Sequence, residues 1–257
     1  MRTKLLAIIS LSLLACGALA FSAYENYLLS GETRRAALIA RINDGAEAEL
    51  GQALEGLGTG RAARKLKSAK ISGLSAYSRK LADGANWLMI YFDYDGEDYL
   101  QAAADFESAT AGIPELRDLT SAHPRATRYG RHWLQMEWIC YIRGAQSDAP
   151  AVQKTAMVTR IKPEKEMDYR LYHQAVWPGV VDQMARGNNR NFSIFLVEIG
   201  EEIYEFFYTE YCGKDSAADG EMNSADPANQ RWWKFTDPCQ TPLEVASGPW
   251  AAMEKIF

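Results

Sequence analysis

The chain of 257 residues carries 28 Lys and Arg against 33 Asp and Glu, a net charge of −5, and 47% hydrophobic residues. This balance is typical of a globular protein, and it excludes a disordered chain, a collagen-like chain and a membrane protein with many spans. The acidic balance also argues against a nucleic-acid binder, which normally carries a positive face. We therefore predict no nucleic-acid partner.

The first 30 residues have the order of an export segment. Arg2 and Lys4 precede a nearly unbroken apolar run over residues 5–21, as the basic and hydrophobic regions of a signal do. The basic residues before the run keep the N-terminus cytoplasmic, so the body of the chain is predicted to be exported.

Three fates of this segment are open. Cleavage after Ala20 would release the body into the periplasm, and a lipobox-like stretch would leave a lipidated Cys16. Retention would leave one hydrophobic helix long enough to span a bilayer. We favour a body on the periplasmic or extracytoplasmic side that is anchored to the membrane through this segment.

Two further cysteines, Cys212 and Cys239, lie in polar, loop-like sequence of the C-terminal half. An oxidising compartment would permit a disulfide between them, and such a link would stabilise the fold by about 3 kcal/mol. Two free thiols are the alternative that the sequence leaves open.

Beyond residue 31 the chain repeats itself weakly. An apolar β-like run over residues 37–42 recurs over residues 156–161, and a polar helical stretch follows each run, over residues 44–57 and 163–186. Strand-like runs, a helix or polar insertion, and a closing apolar run complete each half: residues 70–77, 87–94, 98–110 and 133–142, then 192–199, 203–211, 213–228 and 250–257. The basic stretch over residues 61–70 is expected to be a solvated loop.

This order of elements is that of the split-βαβ, ferredoxin-like unit. We predict an α+β fold in which two tandem ferredoxin-like repeats pack as an intramolecular dimeric α/β barrel, preceded by one N-terminal hydrophobic helix. The predicted domains are a signal or anchor segment (1–30), a degenerate first repeat that acts as scaffold (31–145), and a second repeat that carries the site (146–257).

Motifs for most cofactor chemistry are absent from the sequence. It has no nucleotide-binding glycine motif, no serine hydrolase elbow and no HExxH, and its three histidines lack the spacing of metal ligands. We predict neither a metal site nor a cofactor.

One helical segment carries groups that can move protons. Tyr169 and His173 are four residues apart, so they share a helix face. A histidine titrates near neutral pH, and a phenol can orient or relay a proton. The alternative is a half-buried histidine that a neighbour satisfies. When Arg41 and Ile42 are aligned with Arg160 and Ile161, the positions of Tyr169 and His173 correspond to Leu50 and Leu54 in the first half. A site would therefore belong to the second half alone.

Three motifs of the second half resemble those of the L-rhamnose mutarotase family. They are H-x-x-x-W-P from His173 to Pro178, the run N-F-S-I-F-L from Asn191, and Q-R-W-W-K-F from Gln230. The resemblance covers about residues 155–257.

The resemblance implies an isomerase without a cofactor that interconverts the α and β anomers of a small sugar of the rhamnose type. It implies His173 as the proton donor, and we expect Tyr169 to share the acid–base work. The implied substrate-binding residues are Trp177, Phe192, Trp232 and Trp233. Phe192 stands where the family carries a tyrosine, so one hydrogen bond to the sugar is lost.

Two other functions stay open. A membrane-tethered accessory subunit would use the same barrel without catalysis and would bind a membrane-protein partner. A monooxygenase of the same barrel architecture is a third possibility, although no local motif supports it. The fold alone does not decide among them.

Overall fold

The computed structural model of the chain describes residues 33–243 and 248–257. In chain order, the first half contains β1 (Arg34–Ile42), α1 (Glu47–Glu55), α2 (Gly60–Ser68), β2 (Ile71–Lys80), β3 (Asn86–Tyr94), α3 (Ala102–Thr110), α4 (Glu115–Asp118), β4 (Thr120–Ser121), α5 (Pro124–Thr127), β5 (Leu134–Gln135) and β6 (Glu137–Gly144). The second half contains β7 (Gln153–Ile161), α6 (Glu166–Gln174), α7 (Pro178–Arg186), β8 (Asn189–Ile199), β9 (Glu202–Tyr211), α8 (Ser216–Ala225), α9 (Pro227–Thr236), β10 (Gln240–Thr241), β11 (Ala251–Ala252) and β12 (Glu254–Lys255).

The strands form two antiparallel sheets. One has the order β12-β2-β3-β1, with β4 and β5 on the outer edge of β1, and the other has the order β7-β9-β8-β6, with β10 and β11 on the outer edge of β7. Helices lie outside the sheets, so the predicted α+β class with two antiparallel sheets is confirmed. The predicted N-terminal hydrophobic helix lies outside the described residues.

Each half passes its closing strand to the sheet of the other half. Strand β6 ends the first half but pairs with β8, where Ile142 lies opposite Phe192. Strand β12 ends the chain but pairs with β2, where Glu254 lies opposite Ser78. The two sheets are therefore tied together at both edges. The predicted division into repeats after residue 145 stays a prediction.

Alternation along the strands separates two cores. On β1, Leu38 and its even-numbered neighbours face the helices, whereas Ala37 and Ile39 face the other sheet. The intersheet core also includes Tyr91, which stacks on Tyr208 with 3.6 Å between ring centroids. Period-two alternation is what a sheet covered on both faces requires.

Turn chemistry fixes the hairpin that leads into the site. Ile199 of β8 pairs with Glu202 of β9, which leaves a two-residue loop of Gly200 and Glu201. Gly200 has a φ of 64°, which glycine adopts without the Cβ clash of other residues. This hairpin joins the two strand-like runs predicted over residues 192–199 and 203–211.

Two expectations about the local structure and location of the chain are wrong. The basic stretch over residues 61–70 is mostly helical, because α2 buries Leu66 while its charged side chains remain on the outer face. The predicted localisation, an exported body held at a membrane, is also wrong, because no helix within residues 33–243 and 248–257 is long and apolar enough to cross a bilayer. The predicted anchor over residues 1–30, with Cys16, lies outside the described residues.

Candidate functional site

Helix α6 presents its inner face to β9 and carries Tyr169 and His173, both buried. The sequence predicts one helix over residues 163–186, and this is wrong. A short 3-10 turn precedes α6, and the chain leaves helical geometry at Ala175 before Pro178 starts α7. Proline lacks the N–H that a continuous helix needs and fits its first turn instead.

A backbone carbonyl fixes the tautomer of His173. Its Nδ1 lies 3.0 Å from the carbonyl oxygen of Tyr169. Since a carbonyl oxygen only accepts hydrogen bonds, Nδ1 carries the proton and Nε2 is the free acceptor. Burial lowers the pKa of His173 to about 4, so the ring is neutral at pH 7 and can take up a proton at Nε2.

Behind Tyr169 lies the carboxyl group of Glu205, which no motif of the sequence indicates. The Tyr169 hydroxyl donates to Oε1 of Glu205, and Gln240 Nε2 donates to Oε2 at 3.1 Å. Glu205 is completely buried. Burial raises its pKa to about 8, against the opposing effect of the two hydrogen bonds. Burial and the negative charge of Glu205 raise the pKa of Tyr169 well above its ordinary value.

The free energy of unfolding is expected to vary with pH because the pKa of the buried Glu205 carboxyl is raised. Because its folded pKa of about 8 lies above the ordinary 4.5, the stability that it contributes is complete below pH 4.5 and is lost as the pH rises to about 8. Glu205→Leu has no such loss. Its free energy of unfolding relative to wild type is therefore expected to rise by several kcal/mol from about pH 5 to about pH 9.

Urea unfolding of both proteins across this range measures the difference. A difference that does not change with pH would mean that Glu205 keeps an ordinary pKa in the folded chain.

A cavity of about 470 Å³ opens between α6, α7, α9 and the outer face of β8 and β9. This volume lies within the range of small-molecule sites, roughly 300–1,000 Å³. Its polar lining includes Tyr169, His173, Asn223, Asn229, Asp237 and Gln240. Its apolar lining includes Val180, Met184, Phe192, Ile194, Phe207 and Trp250. One bound molecule would thus contact both polar and apolar side chains.

Three of the four predicted binding residues line this cavity: Phe192, Trp232 and Trp233. Trp232 is buried and contacts the His173 ring edge-on, with 5.3 Å between ring centroids. Trp177 does not line the cavity. It precedes α7 and packs against Trp232 on one side, while the Arg231 guanidinium lies 4.6 Å from the centre of its ring. Trp177 therefore supports the wall from behind.

The polar insertion predicted over residues 213–228 also contributes to the cavity. Much of it forms α8, and Asn223 near the end of this helix reaches the cavity wall. The side-chain amide of Asn229 on α9 donates a hydrogen bond to the backbone carbonyl oxygen of Asn223 at 3.0 Å and so holds this residue in place.

The corresponding space in the first half is filled. Leu50 and Leu54 of α1, which align with Tyr169 and His173, are fully buried in the core between helices and sheet. Phe92 and Phe106 stack in the same core at 5.7 Å between centroids. The first half thus packs apolar side chains where the second half has a cavity.

A larger open groove, of about 990 Å³, lies on the first half between α1, α2 and α4. Its charged lining residues, such as Glu49, Arg61 and Glu115, are exposed to solvent. The smaller cavity is the better candidate, because buried titratable groups with shifted pKa values mark functional sites.

The predicted Cys212–Cys239 disulfide is absent, and both thiols are free. Cys212 follows Tyr211, which pairs with one end of β7, and Cys239 precedes Gln240, which pairs with the other end. The nine-residue strand separates them by about 25 Å at 3.3 Å per residue, far beyond disulfide reach. The Cys212 thiol instead donates to the carbonyl oxygen of Asn188 at 3.2 Å.

Comparison with known proteins bears on the second half of the chain. Residues 154–257 match the model of the L-rhamnose mutarotase family, which confirms the predicted resemblance. The L-rhamnose mutarotase of Oceanobacillus iheyensis is 25% identical over 87 residues, which are 34% of this chain and 79% of the relative. That of Enterococcus faecalis is 21% identical over 104 residues, 40% of this chain and 96% of the relative.

Among solved structures, a crystal structure of a Fusobacterium nucleatum protein matches with a TM-score of 0.48 and 11% identity. The match covers 87% of this chain and 92% of the other.

Proposed function

We propose that this protein interconverts the α and β anomers of a sugar, without a cofactor, in the cavity of its second half. The observation that carries the proposal is the neutral His173, which has a free Nε2 and whose ring lies beside that of Tyr169 in the lining of a small cavity. The match of this half to the L-rhamnose mutarotase family supports the same chemistry.

Interconversion of anomers requires two proton transfers. The anomeric hydroxyl must lose a proton while the ring oxygen gains one, so that the bond between C1 and the ring oxygen breaks and an aldehyde forms. In the proposed reaction, His173 Nε2 takes the proton of the anomeric hydroxyl. Rotation about the C1–C2 bond and reversal of both transfers then close the other anomer, and His173 returns its proton.

Tyr169 is the proposed acid for the ring oxygen. Its ring lies 4.2 Å from the ring of His173, measured between centroids, so both groups can reach one sugar. A phenol with a raised pKa keeps its proton at pH 7 and can donate it as negative charge develops on the ring oxygen. A positioned acid or base of this kind typically contributes about 10²–10⁴-fold to a rate.

The mixed polar and apolar lining of the cavity suits a sugar that carries a methyl group. The polar part of the lining offers amide groups to sugar hydroxyls, and the indole of Trp232 can stack against an apolar C–H face. The apolar part of the lining includes Val180, Met184 and Ile194. Phe192 packs on Phe207, with 5.3 Å between ring centroids. It adds an aromatic ring to the apolar lining but no hydroxyl.

We therefore expect a preference for L-rhamnose over L-mannose, which differs by a hydroxyl in place of one methyl hydrogen. Burying that hydroxyl against an apolar wall without a partner is expected to lower kcat/KM roughly tenfold to a hundredfold. Saturation-transfer NMR with the full chain measures the exchange of both sugars. Equal rates would contradict the assigned apolar lining, and no exchange of any sugar would favour a binding-only barrel.

A further inference from the structure

The groups that touch the cavity are joined behind its wall by Glu205. Its carboxyl accepts one hydrogen bond from the Tyr169 hydroxyl and another from Gln240 Nε2. Tyr169 and Gln240 both line the cavity, whereas Glu205 is completely buried on β9. Glu205 can therefore act on a bound molecule only through these two neighbours.

The first half shows that the fold does not require this carboxyl. The repeated Arg-Ile pair places Arg41 opposite Trp87 in one sheet and Arg160 opposite Tyr204 in the other. The residues that follow Trp87 and Tyr204 are Leu88 and Glu205. Leu88 is fully buried in the core between sheet and helices, so a leucine satisfies the same position where no cavity exists.

The protonation state of the carboxyl decides where the Tyr169 proton points. An ionised carboxylate only accepts hydrogen bonds, so it holds the Tyr169 O–H inward, away from the cavity. A protonated carboxyl can donate its own O–H to the Tyr169 oxygen. The phenol is then free to direct its proton at the ring oxygen of a sugar.

We propose that Glu205 is a positioning residue that, in its protonated form, turns the Tyr169 hydroxyl toward the substrate and, in its ionised form, withdraws it. This inference rests on the proposed function, because Tyr169 is the acid of that reaction. The same carboxyl fixes the amide of Gln240, whose Oε1 has no hydrogen-bond partner within the described part of the chain. A hydroxyl of a bound sugar would donate a hydrogen bond to this buried oxygen.

The titratable groups that face Glu205 carry no charge that would move its pKa away from the neutral range. Those that face it are Tyr169 from α6, Cys140 from β6 and Cys239 from the turn after α9. Burial raises the pKa of Cys140 to about 12 and also raises the pKa of Cys239, so neither thiol adds a charge at pH 7. With its own pKa at about 8, Glu205 is mostly protonated below that pH and ionised above it.

The test is the pH dependence of anomer exchange by the full chain, after subtraction of the uncatalysed rate. Wild type is expected to lose exchange above pH 8, by about tenfold per pH unit. Glu205→Gln is expected to lose this decline, because its amide N–H donates to Tyr169 at every pH. Glu205→Leu is expected to lower exchange about tenfold or more below pH 8, since the phenol loses its partner, and to show no further decline above that pH.

Glu210→Gln is the matched control. Glu210 is a second buried glutamate of β9, but it lies on the other face of the strand and pairs with Arg190 at 2.9 Å. This variant is expected to keep the decline above pH 8. The infrared spectrum of wild type, recorded as a function of pH, follows the protonated carboxyl directly and does not depend on whether a variant folds.

A decline that persists unchanged in Glu205→Gln would overturn the inference while leaving the proposed function intact. An infrared spectrum without a protonated carboxyl at about pH 6 would overturn it as well. No exchange by wild type at any pH would overturn the proposed function, and the inference with it.

Discussion

His173→Ala is expected to lower anomer exchange by about 10²–10⁴-fold, the contribution of a positioned base. The substitution removes the free Nε2 acceptor while the carbonyl of Tyr169, which held Nδ1 at 3.0 Å, can bond to water in the space left by the ring. The loss is expected in kcat more than in KM, because the proton transfer occurs in the transition state. Saturation-transfer NMR at several sugar concentrations separates the two.

His132→Ala is the matched control for this experiment. His132 is also buried, but it lies in the first half, where its Nε2 is 2.7 Å from the hydroxyl of Thr120. This variant is expected to exchange anomers as wild type does. An equal loss in both variants would show that removal of a buried histidine damages the fold, and it would leave His173 without an assigned role.

Tyr169→Phe is expected to lower exchange by about 10²-fold or more, because the ring oxygen of the sugar loses its proton donor. The phenyl ring can keep its packing against His173, at 4.2 Å between centroids in wild type. The loss of the hydroxyl also leaves Glu205 with Gln240 as its remaining hydrogen-bond donor. We therefore expect anomer exchange by Tyr169→Phe to depend less on pH above pH 8 than exchange by wild type does.

Tyr172→Phe controls for the loss of a phenol from the same helix. The Tyr172 ring packs against Trp232 and Phe235, with 6.4 and 5.9 Å between centroids, and phenylalanine preserves both contacts. Exchange by this variant is expected to match wild type. Full activity of Tyr169→Phe would show that another group protonates the sugar.

Much of the fold can be predicted from local sequence. Alternation along β1 and the repeated apolar run at β7 predict two similar sheets, and Gly200 predicts the hairpin between β8 and β9. The exchange of β6 and β12 between the sheets could not be predicted. Periodicity shows that a segment is a strand, but its partner is chosen by long-range packing, here through Met136 and Met253, which are buried where each segment crosses between the sheets.

The site is predictable where its residues lie on one helix. The spacing of Tyr169 and His173 places them on a shared face, but Glu205 contacts Tyr169 from a strand that is distant in the sequence. Strand β9 contains two buried glutamates, and alternation shows that Glu205 and Glu210 face opposite ways without showing which one meets the helix. The family resemblance places Trp177 in the site, yet the chain leaves helical geometry before Pro178 and Trp177 does not line the cavity.

The most direct measurement is saturation-transfer NMR of L-rhamnose with the full 257-residue chain at neutral pH. We expect the exchange between α and β anomers to accelerate in proportion to protein concentration and to saturate with sugar. A folded protein that leaves the exchange of L-rhamnose and of other 6-deoxy sugars at the uncatalysed rate would contradict the assignment of His173 and Tyr169 as an acid–base pair for anomers.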